Sequence, residues 1–190
     1  MADKFQPEAT TTLRSLGLFT IAIPDSEFNA GVREAGHADR IYIGRIGDGL
    51  YHGAVEVKTG RGEHRQSWPF AEWSDEQRRW AQAWREKTGT PYLLFIMVGN
   101  DLPQLPKTES RPYPRIAVLV PHKVILDLEA AAERKSLSYQ QIADMQTFRL
   151  NWAGKGRWII PPCNPFWSGV TYDLRSIVGR QTELRERRAG

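Results

Sequence analysis

The chain is poor in the residues that build covalent or metal scaffolds. One cysteine, Cys163, among 190 residues excludes an intramolecular disulfide and a zinc ribbon, and it suits a reducing, cytoplasmic compartment. It follows Pro161 and Pro162 and is expected to be a small buried residue. The four histidines, His37, His52, His64 and His122, are scattered and form no metal-ligand spacing. No apolar run follows residues 1–4, so no signal peptide is expected. The longest apolar run, 92–98, is far too short to cross a bilayer. A Gly-rich phosphate loop, a nucleophile elbow and an HExxH helix are all missing, which leaves a metal-independent enzyme on another α/β fold without support. Acidic residues are absent from the whole of 145–172.

What is present is ordinary in amount. Hydrophobic residues make up 41% and charged residues 25%, as in a soluble globular protein, and the length suits one domain with a real core. The net charge of +4 and pI of about 9.3 fit a polyanion partner without requiring one. Most of the seven tryptophans are expected in the core.

The pattern that organises the chain runs over 38–77. A strand around Ile41, Tyr42 and Ile43, a turn at Gly47-Asp48-Gly49 and a return strand over 53–58 read as a hairpin. Asp39 lies nine residues before Asp48 and Glu56 eight after it, so antiparallel pairing brings the two carboxylates nearly opposite each other. Alternation puts Glu56 and Lys58 on one face, with Val55 and Val57 pointing into the core. Two acids and a lysine at one sheet edge can hold a divalent cation with a water beside it. A second acid-x-Lys, Glu133-Arg134-Lys135, follows a helical pattern and reads as a solvated helix end.

The remaining elements frame that hairpin. Residues 7–16 form a first helix with Ala9, Leu13 and Leu16 inward; its Glu8 either reaches the sheet or offsets the helix dipole. Residues 18–23 form a strand, and 29–37 a polar connection over the site. The loop 59–73 sets Arg61, His64 and Arg65 beside Trp68, Phe70 and Trp73, a mixture suited to phosphate contact and base stacking, or to aromatics that simply pin the loop. Ser74-Asp75-Glu76-Gln77 is a capping box opening a helix to about Lys87. Trp73, Gln77, Trp80 and Trp84 share its sheet-facing side, so Gln77 either meets a metal-bound water or phosphate there or only reaches back to the Ser74 amide. Residues 92–98 are a central strand buried on both faces, closing a βαβ crossover. A loop over 100–114, a strand over 115–120, helices over 122–135 and 138–148, and a strand over 158–161 follow. The acid-free segment 145–172 either forms a second nucleic-acid surface, led by Lys155 and Arg157, or caps the core with its aromatics. Arg78, on the helix after the capping box, joins Arg61, His64, Arg65, Lys155 and Arg157 as a candidate nucleic-acid contact. Residues 174–190 read as a frayed, solvated helix.

Asp39, Glu56-Val57-Lys58 and Gln77, with Glu8 on the first helix, resemble the PD-(D/E)xK nuclease superfamily, in particular archaeal-type Holliday junction resolvases and VRR-Nuc-like nucleases. The resemblance covers about 7–99; Ala38 stands where the family has proline, and the loop 59–73 is longer than usual. It implies an α/β, restriction-endonuclease-like core, a central mixed β-sheet flanked by helices in the order αβββαβ, with extra C-terminal elements over 100–190. It implies Mg²⁺ or Mn²⁺ held by Asp39, Glu56 and the Val57 carbonyl, with Glu8 holding a ligating water or a second ion. Lys58 would orient or deprotonate the attacking water, and Gln77 would position that water or a phosphate oxygen. Of the histidines, only His37 sits close enough in sequence to Asp39 to touch substrate. The expected activity is metal-dependent phosphodiester hydrolysis of nucleic acid, foremost as a DNA endonuclease of the resolvase kind, with DNA as partner and a homodimer implied. The alternative is a non-catalytic nucleic-acid-binding or assembly module on the same fold.

Overall fold

The computed structural model describes residues 6–23, 38–59, 67–99, 114–131, 135–169 and 172–173. Its elements in chain order are α1 (Gln6–Arg14), β1 (Phe19–Ala22), β2 (Arg40–Ile46), β3 (Gly49–Thr59), β4 (Ser67–Pro69), α2 (Asp75–Thr88), β5 (Tyr92–Val98), β6 (Ile116–Pro121), α3 (His122–Ala131), β7 (Ser136–Ser138), α4 (Tyr139–Asp144), β8 (Asn151–Gly154), β9 (Arg157–Ile159) and β10 (Tyr172–Asp173). The main sheet runs β1-β2-β3-β5-β6, with β10 paired to the start of β3. β1, β2 and β3 are antiparallel neighbours, β3 and β5 are parallel across α2, and β5 and β6 are antiparallel. The molecule is therefore mixed α/β, with a mixed central sheet flanked by helices. The order α-β-β-β-α-β opens it, and short β4 is inserted before α2.

Two apolar layers lie on opposite faces of this sheet. On one, Ala9 and Leu13 of α1 meet Val55, Val57, Leu93, Phe95 and Leu119, closed by Trp158 and Phe166. On the other, Ala54, Tyr92, Leu94, Ile96 and Val118 pack beneath Trp68, Phe70, Trp73, Ala81, Ile125 and Ile142. All seven residues of β5 are buried, as the unbroken run from Tyr92 to Val98 requires of a strand covered on both sides. Gly53 permits a close approach in the middle of β3: a Cβ there would stand 2.6 Å from both the Tyr42 hydroxyl and the Pro91 carbonyl oxygen.

The hairpin turn is Gly47-Asp48, with Ile46 paired to Gly49 and Gly47 at φ 59°, the left-handed conformation that such two-residue loops use. α2 carries the expected capping box, with Ser74 as N-cap and Gln77 at the third position, and ends on Gly89 at φ 68°.

Several expectations are corrected here. The helix over 138–148 is a shorter α4, opened by a second capping box between Ser138 and Gln141. Residues 136–138 instead form β7, antiparallel to β4. The strand after the basic turn is β9, and it pairs with an unforeseen β8 through a turn in which Lys155 takes φ 52°. Cys163 is exposed, not buried. Residues 29–37, 60–66, 100–113, 132–134 and 174–190 lie outside the described residues. So do His37, Arg61, His64, Arg65, Glu133 and Arg134. No helix among the described residues is long and apolar enough to cross a membrane.

Candidate active site

The last β2–β3 pair is Arg40 with Val55, which sets Asp39 one step beyond the ladder, opposite Glu56. Asp39 is held at that point from both sides. Its carbonyl accepts from the Ile23 amide at 3.0 Å, and its Oδ2 accepts from the Val57 amide at 2.7 Å. In an extended strand the N–H and C=O of one residue point to the same edge, so the Val57 carbonyl also faces the Asp39 side of β3.

Alternation along β3 turns Glu56 and Lys58 toward α2. That face is covered, and Glu56 is 2% and Lys58 8% exposed. Buried charges need partners, and here they find one another. Lys58 Nζ lies 2.8 Å from Glu56 Oε1. Gln77 bridges the pair: its Nε2 donates to Glu56 Oε1 at 2.5 Å, and its Oε1 accepts from Lys58 Nζ at 2.8 Å. The same Oε1 accepts from the Ser74 amide at 3.1 Å, while the Gln77 amide donates to Ser74 Oγ at 3.3 Å. Gln77 thus makes the expected cap, and it also braces the charged pair, a role that the sequence did not suggest.

Burial pushes the Glu56 carboxyl up to about 7, and the neighbouring Asp39 charge pushes in the same direction, against the opposing effect of Lys58. A positive charge between Asp39 and Glu56 would act against both effects. Tyr92 completes the cluster from β5, donating its hydroxyl to Glu56 Oε2 at 3.3 Å. Burial and the two nearby carboxylates raise the Tyr92 hydroxyl well above its ordinary range, so it remains a donor. Sequence reasoning missed Tyr92. The available signal was a lone hydroxyl at the start of an otherwise apolar strand.

Glu8 does not join this network. α1 packs on the Val55–Val57 face of the sheet, and Glu8 there pairs with Arg115 and accepts from Trp158 Nε1 at 2.9 Å. Its carboxylate is engaged by Arg115, just before β6, and by Trp158 of β9, on the opposite side of the sheet from Glu56 and Lys58. No group of three or more potential metal-ligating acids, histidines or cysteines occurs among the described residues.

Arg78 is likewise no surface contact. Its guanidinium grips Glu129 of α3 through both terminal nitrogens, donates from Nε to the Trp73 carbonyl at 2.8 Å and from Nη2 to the Phe70 carbonyl at 2.9 Å, and lies 5.1 Å from the Trp73 ring. Four of its five N–H donors are thereby taken by the chain itself. Trp68, Phe70 and Trp73 are buried in the α2-side core, so they pin the segment and are not available for stacking. Lys155 and Arg157 are exposed on the β8–β9 hairpin.

No known family pattern and no curated protein matches the sequence. Among solved structures, one similar chain is Hjc, a Holliday junction resolvase from the archaeal hyperthermophile Archaeoglobus fulgidus. It is 14% identical, the match covers 74% of this chain and 90% of that one, and the TM-score is 0.43.

Proposed function

We propose that this chain hydrolyses phosphodiester bonds of nucleic acid with a divalent metal ion, foremost as a DNA endonuclease of the resolvase kind. The observation that carries the reading is the clustering of Asp39, Glu56, Lys58 and Gln77 at the end of β3. Two carboxylates brought together beside a single lysine are costly as a packing solution, and a divalent cation offsets that cost. The donors fit Mg²⁺ or Mn²⁺: hard carboxylate oxygens from Asp39 and Glu56 and a carbonyl from Val57, with the remaining positions left to water. When bound, such an ion lowers the pKa of a coordinated water and polarises the scissile phosphate.

The chain's own residues supply the rest. A lysine ammonium has three N–H donors. Two of those on Lys58 are directed to Glu56 and Gln77, which leaves the third for a water or a phosphate oxygen. Gln77 fixes the direction of that third donor, because its amide holds the lysine and the glutamate at once. Asp39 is kept from rotating by the Val57 amide, so the acid pair is organised before substrate arrives.

The non-catalytic module is the second reading, and one observation favours it. Glu56 Oε1 already receives two donors, and the acid is almost sealed from solvent. A homodimer belongs with the resolvase reading and is checked by light scattering of the purified chain.

The test is a cleavage panel of single-stranded, duplex, flap and four-way-junction DNA with matching RNA, each with Mg²⁺, Mn²⁺ or EDTA. Metal-dependent cutting that disappears in both Asp39→Asn and Lys58→Ala supports hydrolysis. Binding without cutting in every metal, unchanged by Lys58→Ala, favours the module.

A further inference from the structure

A cleft of about 440 Å³ opens beside β6 and the β8–β9 hairpin, lined by Arg115, Arg149, Asn151, Trp152 and Trp158 among others. That volume lies within the usual range for a small-ligand site. Its lining contains no acidic residue. Trp152 is 50% exposed, an unusual state for a large aromatic that has partners available. The ring is nevertheless held in place. Trp158 meets it edge-on with centroids 4.9 Å apart, and the Arg115 guanidinium lies 5.7 Å from its centre. Arg115 is itself fixed by Glu8, whose other oxygen takes the Trp158 indole N–H. Glu8 is therefore a positioning residue for this wall, and its charge is spent on Arg115.

Arg149 makes no ion pair among the described residues and stands on the cleft through the bridge that joins it to Val118 of β6. Lys155 and Arg157 extend the positive surface along the exposed hairpin. A half-exposed indole and a guanidinium with no ion pair among the described residues, lining one cleft, are the combination that receives a base and its phosphate: the ring stacks, and the cation neutralises. We infer that this cleft binds a nucleotide unit of single-stranded nucleic acid, its base against Trp152 and its phosphate at Arg149. The inference stands apart from hydrolysis at Glu56, because binding here needs no metal.

The experiment is fluorescence anisotropy in EDTA with the full chain, using a fluorescein-labelled twelve-nucleotide oligo-dT and a duplex of equal length. Wild type should bind the single strand, and Trp152→Ala should weaken that binding by about fivefold or more, the loss expected for one stacked base, while Trp152→Phe restores most of it. Arg149→Gln should weaken the single strand and lower the slope of log affinity against log salt by about 0.7. Rescue by phenylalanine separates stacking from a folding defect, and thermal melts of each variant confirm it. Competition with dTMP distinguishes sources of the same chemistry: displacement near the affinity of the strand supports the cleft with a mononucleotide as its occupant. Failure of wild type to bind the single strand, or binding within twofold of wild type by both Trp152→Ala and Arg149→Gln, overturns the inference. Neither result depends on whether the cleavage panel shows cutting.

Discussion

The Val57 amide donates to the Asp39 carboxylate at 2.7 Å, eighteen residues away along the chain. One carboxylate oxygen thus extends the β2–β3 ladder by a bond that the backbone of β2 does not provide, and Asp39 is both a structural clasp and the nearer half of an acid pair.

Asp39→Asn separates those two roles. The asparagine carbonyl oxygen can still accept from Val57, so the fold should be retained, with a change in unfolding free energy within about 1 kcal/mol. Its charge is lost, and Mg²⁺ or Mn²⁺ affinity measured by titration calorimetry should fall at least about tenfold. Equal metal affinity in the two proteins would remove Asp39 from the ligand set.

Gln77→Ala should be costly for a surface-helix position. It strips partners from Lys58 and Glu56 while deleting one half of the capping box. Leaving buried polar groups short of partners costs about 1–3 kcal/mol each, and urea unfolding should show a loss in that range. A loss comparable to an exposed helix substitution would show that the network rearranges without Gln77.

The Glu56 carboxyl gives the metal-free protein a pH dependence with a definite sign. Its folded value, about 7, exceeds its ordinary 4.5, so the folded state holds the proton more tightly than the unfolded chain. Stability contributed by this group is complete below about 4.5 and is lost as pH rises to about 7. His122, whose pKa is lowered chiefly by burial, acts oppositely, costing stability as pH falls through 6.5. The comparison is therefore wild type against Glu56→Gln, by denaturant unfolding in EDTA at pH 5, 6, 7 and 8. The difference between the two should shift steadily against wild type up to pH 7 and then level off; a difference that is flat with pH would place the Glu56 carboxyl near its ordinary value.

Arg78→Met should lower stability, by about 1–3 kcal/mol, through the loss of the Glu129 grip and two backbone contacts. Nucleic-acid affinity of the folded variant should be unchanged. Lys155→Ala and Arg157→Ala should do the reverse, leaving melts alone while each reduces the salt dependence of single-strand binding by about 0.7 in slope. Anisotropy titrations at several salt concentrations distinguish the two patterns.

The features legible in the sequence were those with a local rule behind them. A Gly-Asp turn sets hairpin register, and register alone carries Asp39 opposite Glu56. Ser-x-x-Gln specifies a cap, and tryptophans at helical spacing specify which side of α2 meets the sheet. The position of Glu8 stays open in the sequence because an apolar stripe shows that a helix packs inward but not on which face of the sheet. Arg78 was misread because its partner, Glu129, is fifty-one residues distant and no local charge pattern reveals it. β4 and β7 escaped because three residues are too few to display a period. Burial of Glu56 and Lys58 was invisible for a related reason: alternation assigns them a common face, but only the helix above shows that the face is closed.

Gln77 also ties two stretches of the chain nineteen residues apart, the end of β3 and the start of α2. Until residue 77 docks, the lysine and glutamate have no common brace, and the Ser74 cap has no reciprocal partner. Bracing of the buried pair and closure of the helix end thus rest on one side chain, so an alteration at Ser74, which touches neither charged group, would loosen the pair through Gln77.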